Sequence, residues 1–199
     1  MVIKKIVLGH LQTNCYVIEN NGECVIIDPP SSFEYLECLL VSKRLKLKAI
    51  LLTHGHFDHC AICYKFQEKG IPIYMSEKDA LVVKNSPKLF GLTKENSFEA
   101  NYFINGGECI ELIGKKIYVI SSSGHTDGSI SFLIDDNLFC GDTIFAGGGI
   151  GRCDLYSGNF EKIQDTILNT LFKLDDETKV FCGHGEDTTI GQEKKLIHF

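Results

Sequence analysis

The stretch Thr53-His54-Gly55-His56-Phe57-Asp58-His59 decides the fold, because three imidazoles and one carboxylate fall within six of its positions. It follows the apolar run 47–52, which predicts a short buried strand, and it precedes 60–69, which predicts a helix. The cluster is therefore expected on a turn at a strand end, where a rigid scaffold aims loop side chains at a ligand. Imidazole nitrogen and carboxylate oxygen suit zinc, iron or manganese, so the stretch predicts a metal site rather than a polar surface loop.

The overall composition is that of a globular protein. The 199 residues are 44% hydrophobic and 23% charged, which predicts a single domain over 1–199 with a substantial core. A net charge of −6 disfavours a general affinity for nucleic acid. No apolar run has membrane-spanning length, and the apolar part of 1–8 is too short for a signal peptide. We therefore expect a cytoplasmic protein with no nucleic-acid or membrane partner, and the sequence leaves the oligomeric state open.

Nine cysteines are scattered along the chain, an odd number that indicates reduced thiols. Cys60 and Cys63 form a C-x-x-C beside the histidine cluster. A single pair of this kind is found both in packed cores and in metal or redox sites. We favour core packing, and the alternative is a non-catalytic metal or redox protein that uses these two thiols.

Periodicity elsewhere predicts an α/β protein. The further predicted strands are 1–8, 13–19, 23–27, 71–75, 108–113, 116–121, 129–134, 137–140 and 179–182. The further predicted helices are 31–44, 76–84 and 159–174. The pattern is poor from 85 to 105, and a loop of this length in a compact domain is usually functional or mobile. We expect that segment to border the site.

Polar residues recur directly after predicted strands. Besides the cluster at 54–59, they are Asp28, His125, Asp142 and His184, most of them beside glycine or proline. Strand ends on one edge of a sheet converge, so a fold that joins these turns would assemble seven ligands, five histidines and two aspartates. Seven ligands are too many for one tetrahedral zinc. Two metals roughly 3.5–4 Å apart, sharing a carboxylate, account for the number more simply.

The order of these motifs resembles the metallo-β-lactamase superfamily. The matching motifs are His54-x-His56-x-Asp58-His59, then His125, then Gly-Asp-Thr at Asp142, then Gly-His-Gly at His184. Together with Asp28 they cover nearly the whole chain. The resemblance implies an α/β fold of four layers, an αββα sandwich in which two mixed β-sheets face each other with helices on both outer faces.

The resemblance also implies a role for each matching residue. The ligands implied for the first metal are His54, His56 and His125. The ligands implied for the second metal are Asp58, His59 and His184. Asp142 would bridge the two metals, and Asp58 and Asp142 would be the catalytic residues. Asp28 would accept a hydrogen bond from a ligand histidine and so set its tautomer, the alternative being a plain turn residue before two prolines.

Within the superfamily, four stretches resemble the short, glyoxalase II-like thioester hydrolases, which act on S-lactoylglutathione. They are 123–130, 139–145, 150–155 and 183–193. Aspartate at Asp142 disfavours antibiotic hydrolysis, because true zinc β-lactamases usually carry cysteine there. Histidine at His56 disfavours the flavodiiron oxidases, which carry glutamate.

The glycine-loop region departs from the glyoxalase II pattern. Arg152 and Asp154 stand where that group carries a lysine and a tyrosine that hold the glutathione carboxylate. Arg152 is expected to bind a substrate carboxylate, and the alternative is an ion pair with Asp154. A C-terminal helical substrate domain is not expected within 1–199.

These observations predict hydrolysis of a small acyl-thiol, S-acylglutathione-like, by a hydroxide that bridges two divalent metals. Zinc is expected first, and iron or manganese are the alternatives that the same ligands accept. A persulfide dioxygenase with one iron on the two-histidine and aspartate subset is the alternative function.

Overall fold

The computed structural model describes residues 1–85 and 97–199. The predicted loop at 85–105 is thus described only in part, and 86–96 lie outside the described residues. Its remaining part packs beside the first sheet, where Phe98 is buried and 102–103 form the edge strand, paired with 74–75. This part lines a cavity of about 560 Å³ with the helix at 77–85, and none of the seven predicted ligands lines that cavity.

The first sheet is formed by the N-terminal half of the chain. Its strands are Val2–Leu8 (β1), Thr13–Asn20 (β2), Glu23–Ile27 (β3), Lys46–Leu51 (β4), Ile73–Met75 (β5) and Tyr102–Phe103 (β6), in that spatial order. The pairs β1–β2 and β2–β3 are antiparallel, and the pairs from β3 to β6 are parallel. The sheet is therefore mixed.

The second sheet follows along the chain. Its strands are Cys109–Leu112 (β7), Lys115–Ser121 (β8), Ile130–Ile134 (β9), Asn137–Gly141 (β10), Lys179–Cys182 (β13) and Thr188–Thr189 (β14). Their spatial order is β14-β13-β10-β9-β8-β7, and β10 with β13 is the parallel pair. Ile144–Phe145 (β11) and Gly149–Ile150 (β12) form a separate small hairpin.

The helices are Phe33–Ser42 (α1), Phe57–Cys60 (α2), Cys63–Glu68 (α3), Glu77–Asn85 (α4), Phe160–Asn169 (α5) and Ile190–Glu193 (α6), with a 3₁₀ turn at Leu171–Lys173. The helix predicted at 60–69 begins three residues earlier and is interrupted at Ile62, whose ψ of 8° is not helical. The interruption turns Ile62 into the core beside α1. Among the described helices, none is long and apolar enough to cross a lipid bilayer.

Three apolar layers hold the sheets and helices together. Strand alternation produces them, because successive side chains point to opposite faces. In β3, Cys24 and Ile26 pack toward α1 and α3, whereas Val25 and Ile27 pack between the sheets. In β10, Phe139 joins the layer between the sheets, whereas its neighbours Leu138 and Cys140 pack toward α5. The helix–sheet–sheet–helix arrangement confirms the predicted αββα sandwich.

Two parallel pairings place the polar turns side by side. Ile27 of β3 pairs with Leu51 of β4, so the residues after both strands leave the sheet at one edge. Gly141 of β10 pairs with Cys182 of β13 in the same way. Asp28, the histidine turn, Asp142 and His184 therefore meet at one end of the sandwich.

Candidate metal centre

The histidine turn is anchored to the end of β3 by Asp28. Asp28 is 2% exposed, and it accepts hydrogen bonds from Thr53 N at 2.8 Å and from Thr53 Oγ1 at 2.6 Å. Its Oδ2 also lies 2.9 Å from Nδ1 of His59, which donates to it. One carboxylate thus connects both ends of the turn that carries the predicted ligands.

A first group of donors consists of His54, His56 and His125, whose nearest ring nitrogens lie within 4.8 Å of one another. Nδ1 of His56 faces Nε2 of His125 at 2.8 Å. Among the described residues, none hydrogen-bonds to the buried Nε2 of His54. A buried lone pair without a partner is costly, and a cation at this point would satisfy it.

A second group of donors consists of Asp58, His59 and His184. Nε2 of His59 lies 3.4 Å from Nε2 of His184 and 3.6 Å from Oδ2 of Asp58. Nε2 of His184 lies 3.4 Å from the same Asp58 oxygen. Three donors therefore converge beside the first group.

Asp142 lies between the two groups. Its Oδ1 is 3.4 Å from Nε2 of His59, and its Oδ2 is 3.4 Å from Nε2 of His184 and 3.7 Å from Nε2 of His125. Its side chain is 12% exposed. A single carboxylate therefore reaches donors of both groups.

In four of the five predicted ligand histidines, the Nδ1 atom of the ring is held by a hydrogen bond. Nδ1 of His54 meets Thr53 Oγ1 at 3.0 Å, and Nδ1 of His59 meets Asp28. Nδ1 of His125 donates to the carbonyl of Arg152 at 2.8 Å, and Nδ1 of His184 donates to the carbonyl of Leu11 at 3.0 Å. Such partners set the tautomer that leaves Nε2 free, as is usual for metal-binding histidines.

Burial keeps the first group neutral. It lowers the pKa of His54 well below its ordinary value and the pKa of His56 to about 4, and the neighbouring imidazoles add to both shifts. Burial also lowers the pKa of His125. At neutral pH these rings present lone pairs, which is the state that binds a metal.

The second group is electrostatically different. Burial opposes charge on its histidines, but Asp142 with Asp28 raises the pKa of His59 well above its ordinary value. Asp142 with Asp58 likewise raises the pKa of His184 to about 10. Burial opposes ionisation of Asp142 as well, but His59 and His184 hold its pKa well below the ordinary range. A divalent cation would replace the protons that balance these carboxylates.

The donor sets therefore fit divalent metal ions. Imidazole and carboxylate are ligands for zinc, iron and manganese alike. A bound cation would offset the repulsion between the lone pairs that converge here. The structure brings together all seven residues that the sequence predicted as ligands. Their assignment as ligands of particular ions stays a prediction.

Five of the seven donors line a cavity of about 640 Å³: His56, Asp58, His125, Asp142 and His184. Its walls are largely apolar, and they are formed by Leu11, Phe57, Phe145, Ile150 and Leu155. Arg152 lies on the rim, where Nε and a terminal nitrogen each bond Asp154 at 2.8 Å. The ion pair that was the alternative for Arg152 is thus present. The pair is largely exposed, so it contributes little stability, and a substrate anion can compete for the guanidinium.

The Cys60–Cys63 pair belongs to the core. The two side chains are 3% and 0% exposed, and they pack in the layer between the first sheet and its helices. Burial raises the pKa of both thiols well above the ordinary value. Neutral, enclosed thiols are poor nucleophiles and poor metal ligands, which favours the packing interpretation.

The start of β2 supports the second donor group, and sequence reasoning missed it. Thr13 Oγ1 donates to Asp58 Oδ2 at 3.2 Å. Asn14 Nδ2 donates to the carbonyls of Cys182 and Gly185 at 2.9 and 3.0 Å, which braces the turn that carries His184. These residues are distant from the motifs in sequence and read as an ordinary strand start. The polar Thr-Asn pair opening an otherwise apolar buried strand was the available signal.

Replacing Asp28 with asparagine is expected to weaken zinc binding by about 10–100-fold. The amide would point its N–H donors either at Nδ1 of His59 or at the backbone N–H of Thr53, so one of the hydrogen bonds that hold the histidine turn is lost. Calorimetric zinc titration of the metal-free protein measures the effect. Asp136→Asn, at an exposed hairpin position, is the matched control. Unchanged affinity in Asp28→Asn would mean that this hydrogen bond does not set the tautomer.

A mixed two-sheet sandwich with histidine and aspartate donors at one end is the architecture of the metallo-hydrolase class of proteins. The profile of the metallo-beta-lactamase superfamily matches residues 8–184. This chain belongs to that superfamily, which confirms the resemblance seen in its motifs.

Known proteins similar to this chain agree with that assignment. Hydroxyacylglutathione hydrolase GloC of Haemophilus influenzae is 35% identical over 208 residues, covering 100% of this chain and 98% of the relative. The crystal structure of BLEG-1 B3 metallo-beta-lactamase superimposes with a TM-score of 0.90 at 33% identity, covering 98% of this chain and 97% of that one. The structure of TTHA1623 in a di-iron-bound form gives a TM-score of 0.84 at 30% identity, covering 98% of each chain.

Proposed function

We propose that this chain is a dinuclear metal hydrolase that cleaves a small thioester of the S-acylglutathione class. The observation that carries the proposal is the place of Asp142, within 3.7 Å of a nitrogen of the first donor group and 3.4 Å of two nitrogens of the second. A carboxylate shared between two sites is the arrangement of two-metal hydrolases. When bound, two divalent cations would supply a nucleophile at neutral pH and stabilise the charge that develops on the substrate.

The chain's own residues prepare the site for that reaction. Thr13 holds Asp58 by a hydrogen bond, so the carboxylate faces the cavity beside Asp142. Both side chains are accessible to water, at 14% and 12% exposure. Among the described residues that line the cavity, none is a serine or a cysteine, so the protein itself offers no nucleophile of that kind there. We therefore assign Asp58 and Asp142 as the catalytic carboxylates.

The substrate class follows from the cavity and from one relative. The apolar walls suit an acyl chain, and a thiolate leaves without help from a strong acid because its conjugate thiol is itself fairly acidic. Arg152 on the rim is the group proposed to meet a substrate carboxylate, in exchange for Asp154. The similarity to a protein named hydroxyacylglutathione hydrolase supports the same substrate class.

Zinc is the metal that we propose, with iron or manganese as the alternatives that the donors also accept. The similarity to a structure in di-iron-bound form supports iron as an alternative metal. A persulfide dioxygenase that uses one iron is the second candidate function. The free cysteines fit a reducing compartment, so we propose a cytoplasmic location.

Chelation is expected to abolish thioester cleavage, with a loss of at least about 100-fold, and added zinc is expected to restore it. Thiol release from S-lactoylglutathione measures the rate, and elemental analysis of the purified protein identifies the metal. Two parallel assays separate the alternatives: oxygen uptake with glutathione persulfide, and hydrolysis of a chromogenic β-lactam. Oxygen uptake without thiol release would replace hydrolysis with dioxygenase chemistry. Cleavage that survives full metal removal would contradict every metal-dependent mechanism.

A further inference from the structure

A buried carboxylate outside both donor groups connects the two loops that carry the first group. Asp79, in the first turn of α4, is 0% exposed. It accepts three hydrogen bonds: from Gly55 N at 2.6 Å, from Thr126 Oγ1 at 2.8 Å and from Gly128 N at 2.9 Å. Both of its oxygens are therefore occupied by donors from other segments.

Those three donors belong to the loops of the first metal group. Gly55 lies between His54 and His56, and Thr126 directly follows His125. Asp79 is thus one acceptor shared by the histidine turn and the loop after β8. Without it, two backbone N–H groups would be buried with no partner, at a cost of about 1–3 kcal/mol each.

The packing around Asp79 is tight enough to fix both loops. A Cβ on Gly55 would lie 2.6 Å from the carbonyl oxygen of Asp79, and a Cβ on Gly128 would overlap its Oδ1. The two glycines therefore let both loops approach the start of α4. Ser76 Oγ accepts a hydrogen bond from the Asp79 backbone N–H at 3.2 Å, which holds the helix start in place.

The second donor group rests on different supports. Asp58 is held by Thr13, and His184 is held by the carbonyl of Leu11 and by the turn that Asn14 braces. None of these contacts involves Asp79. The two groups therefore differ in their supports: α4 holds the loops of the first group, and the start of β2 holds Asp58 and the turn of His184.

We propose that Asp79 is a positioning residue for metal binding by His54, His56 and His125, and that its loss weakens this group selectively. The proposal rests on the two-metal part of the proposed function and does not depend on the substrate. An asparagine cannot replace Asp79. One side of its amide carries N–H donors, and these would face one of the two backbone N–H groups that donate to the carboxylate in the wild type. Asp79→Asn therefore separates the two loops without removing any ligand.

The test is a zinc titration of the metal-free full-length protein. Binding is monitored by calorimetry and by ¹H–¹⁵N correlation spectra of the imidazole rings. In the Asp79→Asn variant, the His59 and His184 signals are expected to shift at the same zinc concentration as in the wild-type protein. The His56 and His125 signals should need about 10–100-fold more zinc, the usual effect of removing such a supporting contact. Asp127→Asn is the matched control, because this aspartate lies in the same loop but pairs with Lys78 and Lys162 at the surface.

A reciprocal variant makes the result decisive. Asn14→Ala is expected to weaken zinc binding at His184 and to leave His56 and His125 unchanged. Equal weakening at all five histidines in Asp79→Asn, or none at any of them, would overturn the proposal. If Asp79→Asn does not fold, Thr126→Val removes only one of the three donors and should shift the same two histidines by a smaller factor. If Asp79→Asn shows the selective pattern but wild-type protein cleaves no thioester, the proposed function fails and the role of Asp79 stands.

Discussion

Replacing Asp142 with alanine is expected to lower kcat/KM for thioester cleavage by at least about 1000-fold, because it removes the carboxylate shared by both donor groups. The Nε2 atoms of His59, His125 and His184 would lose the negative charge of the Asp142 carboxylate, which lies within 3.7 Å of each. The measurement is the rate of thiol release by zinc-loaded protein, together with zinc stoichiometry. We expect the stoichiometry to fall below that of the wild type.

The control for this variant is Asp165→Ala, which changes an exposed aspartate on α5 and should leave the rate unchanged. Equal rates for Asp142→Ala and wild type would reject the dinuclear mechanism. A reduced rate with full zinc content would instead restrict Asp142 to substrate or water orientation.

Replacing Gly183 with alanine is expected to cost at least about 100-fold in activity, although the added group is a single methyl. A Cβ at this position would overlap Oδ1 of Asp142 and would lie 2.9 Å from Cε1 of His59 and 3.0 Å from the carbonyl carbon of Gly141. The neighbouring backbone cannot move, because Gly183 is hydrogen-bonded to Asn14 and to Gly141, both at 2.7 Å. The methyl therefore displaces Asp142 from between the donor groups.

Gly185→Ala is the matched control, two residues further along the same turn. Apart from its chain neighbours, no atom of the described residues lies within 4 Å of a Cβ at Gly185, whose φ of +72° makes alanine strained by about 1–2 kcal/mol. We expect a small loss of thermal stability and near-normal activity for this variant. Activity and zinc content measured on both variants test the steric argument, and wild-type activity in Gly183→Ala would refute it.

Much of the fold was predictable because its signals are local. The continuous apolar runs in β3 and β10 predict strands that are buried on both faces, and each face packs on a different layer. The ligand types were predictable for the same reason, since each motif follows a strand directly. The superfamily and the αββα sandwich are confirmed, and the role of each ligand remains a prediction.

Most supporting contacts were not predictable, because they join segments that are far apart in the sequence. The contact of Asp28 with a ligand histidine was expected from the resemblance alone, and the parallel pairing of β3 with β4, with Ile27 opposite Leu51, decides that the histidine is His59. Asp79 lies within the helix predicted at 76–84, and its bonds to Gly55 and Gly128 depend on the packing of α4.

The stretch from Thr53 to His59 and the later motifs determined, by themselves, which atoms could bind a metal, because side-chain chemistry and position after a strand are local properties. The tertiary structure decided how those atoms are divided between the two donor groups. Parallel pairing of β10 with β13 places Asp142 beside His184, and the turn after β4 presents its first two histidines to His125 and its last two residues to His184. The physical reason is that strand order and register set which turns share a sheet edge, and these depend on contacts between distant parts of the chain.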